Sequence, residues 1–103
     1  MNSQVKTIAI ITEKGVPGKD IRENTQINVF KLEGDKVCSY ESIKLNNNDH
    51  KEISLLLKLK EISLIYMDTI NNELKRALSI LGIGIKCKDD WEGDKFIEQF
   101  VFG

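Results

Sequence analysis

Residues 62–85 read ISLIYMDTINNELKRALSILGIGI and contain the pattern around which the rest of the chain can be arranged. The run 62–67 is short and apolar, as in a buried strand. From Ile70 onward apolar residues recur at helical spacing until Gly82, a residue type that commonly ends a helix in the left-handed conformation. A second apolar run follows at 83–85. The stretch predicts a β-α-β unit with two parallel strands and a right-handed crossover.

The remaining elements extend this unit into a single α/β domain over residues 1–103. In chain order they are a strand at 5–12, a polar loop at 13–24, hairpin strands at 27–32 and 37–43, a helix starting near Asp49, the β-α-β unit, and a last helix starting near Asp94. The order β-β-β-α-β-α-β-α predicts a five-stranded mixed sheet with three helices on its faces. The continuous apolar residues 8–11 fit a central strand buried on both sides. We expect Ile10, Ile65 and Leu78 to be buried in one cluster.

The charge pattern argues against a nucleic-acid partner. Lys and Arg total 15 against 16 Asp and Glu, giving a net charge of −1, and the two signs are interleaved without a basic stripe. The N-terminal apolar run is too short for a signal peptide or a membrane span. We therefore expect a cytoplasmic protein that binds neither nucleic acid nor membrane, while its oligomeric state is not predicted.

A ligand crevice is predicted where the parallel strands end. Ligands of open α/β sheets bind beyond the carboxyl ends of the strands, at the point where the strand order reverses. Here those ends bring Thr12 and Glu13 of the first strand close to Asp68 and Thr69, with the loop 15–22 as a lid. The alternative is that Asp68 and Thr69 cap the helix that follows them.

Residues that could act as catalysts or metal ligands are sparse. His50 is the single histidine and stands beside the expected helix start, where a solvated surface residue is typical. Cys38 and Cys87 are far apart and are expected to be small buried residues. One histidine with separated cysteines does not make a four-ligand zinc site. No catalytic residue, metal site or cofactor is predicted, and we expect a protein that is not an enzyme.

The chain resembles the nitrogenase iron–molybdenum cofactor-binding and biosynthesis accessory family. The resemblance covers most of the chain and lies in the opening strand KTIAIIT, the segment INVFKLEGDKV, and residues 62–85. Leu78 to Ile85 follow the family's L-x-x-x-G-I-x-V pattern, with Ile85 at the final position. It implies a ribonuclease H-like fold. The family's His-Phe-Gly motif would fall on Asp20, Ile21 and Arg22, so the candidate cluster histidine is absent.

The resemblance therefore implies a divergent member that has lost this motif. We expect a non-enzymatic domain that binds a small ligand or cofactor at Thr12, Glu13, Asp20, Asp68 and Thr69, or a partner protein. The alternative is a protein–protein interaction module with no ligand. A nuclease is not favoured, because the first strand offers no acidic residue to hold metal ions.

Overall fold

The computed structural model describes residues 5–13, 16–18, 25–34, 36–45, 50–94 and 96–99. The described elements are β1 (Val5–Glu13), β2 (Val16–Pro17), β3 (Gln26–Glu33), β4 (Lys36–Lys44), α1 (His50–Leu59), β5 (Leu64–Tyr66), α2 (Asn72–Ile80) and β6 (Gly84–Lys86), with 3-10 turns at Lys88–Asp90 and Ile97–Gln99. Five strands form a mixed sheet in the order β4-β3-β1-β5-β6, and the short β2 pairs with β1 beside this path. The α/β class and the five main strands are confirmed.

Strand β1 lies at the centre of the sheet, as its apolar run predicts. It pairs antiparallel with β3 and parallel with β5, where Ile8 lies opposite Leu64 and Ile10 opposite Tyr66. Strand β6 continues the parallel side next to β5. The β-α-β unit and the neighbouring position of the first strand are therefore confirmed. A central strand is covered on both faces, so successive β1 side chains enter two different cores.

One core lies between the sheet and both helices, and we call it the helix-side core. Its buried residues are Ala9, Ile11, Ile27, Val29, Leu45, Ile53, Leu57, Ile62, Ile65, Met67, Leu74, Leu78 and Ile83. A second core lies on the opposite face of the sheet, beneath the described residues between 91 and 99. We call these residues the C-terminal segment. This second core contains Ile8, Ile10, Leu32, Tyr66 and Ile97. Ile10, Ile65 and Leu78 are all buried as expected, but placing them in one cluster was wrong, because Ile10 points away from the helices.

Both helices end in the same backbone motif. After α2, Gly82 has φ +79°, its N–H donates to Ser79 O, and Ile83 N–H donates to Leu78 O at 3.1 Å. This is the Schellman arrangement, which satisfies the last carbonyls of a helix. After α1 the equivalent left-handed residue is Glu61, with φ +57°. A side chain in this region costs about 1–2 kcal/mol, so α1 carries a local strain that α2 avoids.

The start of α2 differs from the prediction. The helix begins at Asn72 rather than Ile70, and the Asn71 side chain caps it by accepting from Leu74 N–H at 2.8 Å. Asp68 and Thr69 are therefore not the N-cap, and that alternative is wrong.

The C-terminal segment also differs from the prediction. A last α-helix near Asp94 is not confirmed, because the described part forms a 3-10 turn at Ile97–Gln99, while residue 95 and residues 100–103 lie outside the described residues. The cysteines are both free thiols. Cys38 is exposed and Cys87 is half-buried, so the expectation that both are buried was wrong.

Candidate functional site

The carboxyl ends of β1 and β5 lie side by side, as predicted for the crevice. Gly18 is hydrogen-bonded to the backbone at both ends and forms a bridge between them. Gly18, which follows β2, donates its N–H to Ile11 O and accepts from Asp68 N–H, both at 2.9 Å. Asp68 O in turn accepts from Lys88 N–H beyond β6 at 3.1 Å. The described end of the predicted loop is thus bound to the sheet by backbone hydrogen bonds at the point where the crevice was expected.

The predicted ligand residues are brought to this edge without converging on an open space. Thr12 is buried, and its hydroxyl accepts from Asn28 Nδ2 at 2.9 Å. Glu13 and Asp68 are half-buried, and Thr69 is exposed. Asp20 lies outside the described residues. Because the Thr12 hydroxyl and the Asp68 N–H already have protein partners, a ligand here would compete with existing hydrogen bonds.

A cavity lies on the other side of the sheet from the helices. Its volume is about 410 Å³, and its lining residues are Lys6, Ile8, Leu32, Gly34, Leu64, Tyr66, Lys86, Asp94 and Phe96. Ile8, Leu64 and Tyr66 form its floor, since they lie side by side on neighbouring strands. Phe96 of the C-terminal segment forms a wall and stacks near Tyr66, with 5.6 Å between ring centroids. This volume falls within the range of small-molecule sites, roughly 300–1,000 Å³.

Asp94 fixes the C-terminal segment beside the cavity. Its Oδ2 accepts from Tyr66 Oη at 2.7 Å and from Lys86 Nζ at 2.6 Å. Its Oδ1 accepts from Phe96 N–H at 3.0 Å and from Ile97 N–H at 3.3 Å. The side chain is only 9% exposed, and four donors surround it. A partly buried carboxylate with this many donors is held strongly in its charged form.

The electrostatics follow from these contacts. Burial alone would raise the pKa of Asp94, but the hydrogen bonds from Lys86 and Tyr66 outweigh it and lower the pKa to about 2. Burial raises the pKa of Tyr66, and the hydrogen bond to Asp94 raises it further. At neutral pH the cavity therefore holds a neutral phenol and a carboxylate paired with Lys86.

Among the described lining residues, Lys6 is a cation without an ion-pair partner. It lies opposite Leu32 in the β1–β3 pair, and it faces the same side as Ile8 because strand side chains alternate. Among the described residues it forms no hydrogen bond or ion pair, whereas the ammonium of Lys86 is bound to Asp94. The Lys86–Asp94 pair is neutral overall, so Lys6 gives the cavity a positive charge.

The sequence contains weak signals for this cavity. Tyr66 stands in an otherwise aliphatic strand, and a buried tyrosine needs a partner for its hydroxyl. Lys86 directly follows the apolar run 83–85 and offers the charge. The sequence predicts a helix start near Asp94 and not its role in the cavity. Its side-chain partners, Tyr66 and Lys86, are 28 and 8 residues away in sequence, and no local pattern indicates them.

The described residues do not fit a metal cluster. Within them, no three His, Cys, Asp or Glu side chains come together in a group that could hold a metal ion. Burial raises the pKa of the Cys87 thiol; Asp90 adds to this effect and Lys75 opposes it. A thiol with a raised pKa is a poor ligand and a poor nucleophile. The positions at which the resemblance would place the family motif, Asp20 to Arg22, lie outside the described residues.

Comparison with known proteins establishes the fold and no further property. The chain matches no protein-family model and no curated protein. It is similar to a solved structure described as the crystal structure of PH0822, with a TM-score of 0.68, 17% sequence identity, and coverage of 79% of this chain and 75% of that one. Among the described residues, neither helix has the length and apolar character needed to cross a membrane.

Proposed function

We propose that this chain is a non-enzymatic domain that binds a small organic ligand in the cavity beneath the C-terminal segment. The observation that carries the proposal is a cavity of about 410 Å³ in which aliphatic and aromatic side chains lie beside three charged ones, Lys6, Lys86 and Asp94. Ligand sites are typically apolar concavities in which a small number of placed polar groups provide orientation. Binding at Thr12, Glu13, Asp20, Asp68 and Thr69 stays a prediction, and the Gly18 bridge makes the cavity the favoured location.

The titratable groups of the cavity favour binding over catalysis. A general acid or base works best with a pKa near the working pH. The pKa of Asp94 is lowered to about 2 and the pKa of Tyr66 is raised, so both groups are held far from neutrality. The hydrogen bonds from Tyr66 and Lys86 join Asp94 to the sheet, and those from Phe96 N–H and Ile97 N–H order the turn that follows it.

We also propose that the fold is ribonuclease H-like and that the chain is a distant relative of the cofactor-binding family. Numbering only the five main strands, the sheet order is third, second, first, fourth, fifth, with the second antiparallel to the first. The helices follow the third and fourth of these strands. This arrangement supports the fold assignment, and the sequence patterns of residues 6–12 and 78–85 support the relationship. Iron analysis and a visible spectrum after anaerobic purification test whether the chain binds a metal cluster as that family does. We expect no stoichiometric iron, and about one iron–sulfur cluster per chain would overturn this expectation.

A fragment screen followed by ¹⁵N–¹H NMR tests the cavity. We expect binding fragments to shift the amide signals of Ile8, Leu64 and Lys86. Leu64→Trp should fill the cavity and abolish these shifts. The matched control is Leu55→Trp, because Leu55 is 58% exposed on α1, on the other face of the sheet. Equal fragment binding by both variants would refute the cavity as the ligand site, and shifts confined to Thr12 and Asp68 would place the ligand at the strand ends.

One observation favours the second candidate, a protein–protein interaction module. Strand β4 is an edge of the sheet, and all of its residues except Ile43 are exposed. Val37 and Tyr40 are 50% and 57% exposed, and an open edge strand can accept a strand from a partner. A screen without any small-ligand hit, combined with specific capture of one partner that is lost on Tyr40→Lys, would favour this function.

A further inference from the structure

We infer that the cavity ligand is an organic anion whose negative group binds Lys6 and whose apolar body lies on Ile8 and Leu64. The inference rests on the proposed function and adds the chemical class of the ligand. Its central observation is the difference between the two lysines of the cavity, of which Lys86 is bound to Asp94 and Lys6 is not.

The carboxylate in the cavity does not favour a cationic ligand. Both oxygens of Asp94 are engaged by Tyr66, Lys86 and the N–H groups of the C-terminal segment. A ligand cation would have to displace Lys86 from a 2.6 Å contact, and it would meet the charge of Lys6. An anion meets no uncompensated carboxylate among the described lining residues and gains the interaction with Lys6.

The acidic residue nearest to Lys6 in the β1–β3 pairing, Glu33, lies on the opposite face of the sheet from the cavity. Glu33 is opposite Val5 in the β1–β3 pair, one position from Lys6, and therefore lies on the helix side of the sheet. Leu32, opposite Lys6, lies on the cavity side and is buried. Lys6 is thus bordered on its own face by Leu32 and Ile8, which places one positive charge at the margin of an apolar floor. That arrangement suits a molecule with an anionic end and an apolar or aromatic body.

Two fluorescent probes distinguish the contribution of the anionic group to binding from that of the apolar body. 8-Anilinonaphthalene-1-sulfonate is the sulfonated form of N-phenyl-1-naphthylamine, so the pair shares one aromatic body and differs in the anionic group. We expect the sulfonate to bind more tightly than the neutral probe, and its affinity to fall with added salt. Lys6→Gln should weaken sulfonate binding roughly two- to fivefold, the scale of an interaction with an exposed charge, and leave the neutral probe unchanged. Lys6→Arg should retain tight binding.

The matched charge control is Lys31→Gln. Lys31 is opposite Thr7 in the sheet, so it lies on the helix side and is exposed. This change removes the same charge from the protein and should affect neither probe. Circular dichroism of each variant would establish that the fold is retained.

The outcomes distinguish this inference from the proposed function. If Leu64→Trp abolishes binding of both probes but Lys6→Gln weakens neither, the cavity binds ligands and the anion inference is overturned. If Lys6→Gln and Lys31→Gln weaken the sulfonate equally, the effect is one of overall charge, which also overturns it. If neither probe binds, or if Leu64→Trp leaves the binding of both intact, the anion inference and the cavity function fail together.

Discussion

Replacement of Asp94 by Asn should make the protein less stable at pH 6, with a much smaller effect at pH 2. The folded pKa of Asp94 is depressed from its usual 3.8 to about 2, so the charged form is favoured by folding. The associated stability is fully present above about pH 4 and is lost as the pH falls towards 2. Asn retains an oxygen that can accept from the N–H groups of Phe96 and Ile97. Its Nδ2 is a donor and cannot accept from Tyr66 Oη and Lys86 Nζ, so the substitution removes the charge together with these two hydrogen bonds.

The magnitude follows from the pKa difference. A fall from 3.8 to about 2 corresponds to roughly 2.4 kcal/mol, at about 1.36 kcal/mol for each tenfold change in the dissociation constant. The Lys86 side chain is 39% exposed, so solvent screens part of its interaction with Asp94. We therefore expect Asp94→Asn to lower the free energy of unfolding at pH 6 by about 1–2 kcal/mol, and most of this difference should be absent at pH 2.

Urea titrations of the wild type and Asp94→Asn at both pH values measure the effect. Other carboxyl groups titrate in both proteins, so their contributions cancel in the difference between them. Glu92→Gln is the control, because Glu92 is exposed two residues away and its replacement removes the same charge from a residue that is not among the described lining of the cavity. A difference between the wild type and Asp94→Asn that stays constant within about 0.3 kcal/mol from pH 6 to pH 2 would refute the charge-based account.

Three further predictions concern the helix ends, the core and the thiols. Leu78→Ala should lower the free energy of unfolding by about 2–5 kcal/mol in denaturant titrations, because Leu78 is fully buried; Ile80→Ala, at a site 79% exposed, should cost far less. Glu61→Gly should raise the melting temperature, with a stabilisation of about 1 kcal/mol, because it relieves the positive φ, whereas Glu61→Gln should not. In thiol titration with a disulfide reagent at pH 8, Cys38 should react before Cys87, and Cys38→Ser should remove the fast phase.

The sequence predicts the elements that depend on local patterns. The run 8–11 has no polar residue, which is sufficient to place β1 at the centre, and the polar turn containing Gly34 defines the hairpin. The start of α2 was misplaced because Asp68, Thr69 and Asn71 all suit an N-cap, and the stripe that continues through Leu74 is compatible with each.

The parts that could not be predicted depend on distant contacts. No local pattern marks Glu61 as a left-handed residue, since glycine or asparagine is usual there. The Gly18 bridge joins segments that are 50 residues apart, Gly18 and Asp68, and the grouping of Tyr66, Lys86 and Asp94 requires the C-terminal segment to fold back over the sheet. The crevice was inferred from a general rule about parallel sheets, whereas the cavity depends on how this particular segment packs.

The central position of β1 also has a kinetic consequence. Asn28 bonds to Ile10 across 18 residues, whereas Ser63 bonds to Thr7 across 56, and closing the longer loop costs about 1 kcal/mol more in chain entropy. The antiparallel pairing of β1 with β3 should therefore form first during refolding. The other edge of β1, at residues 8–11, stays unpaired until β5, which follows α1 in the chain, pairs with it. An apolar strand edge that is unpaired during folding is prone to pair with another molecule. Substitutions that weaken α1 should thus increase aggregation during rapid refolding at high protein concentration, even where the equilibrium stability of the folded protein changes little.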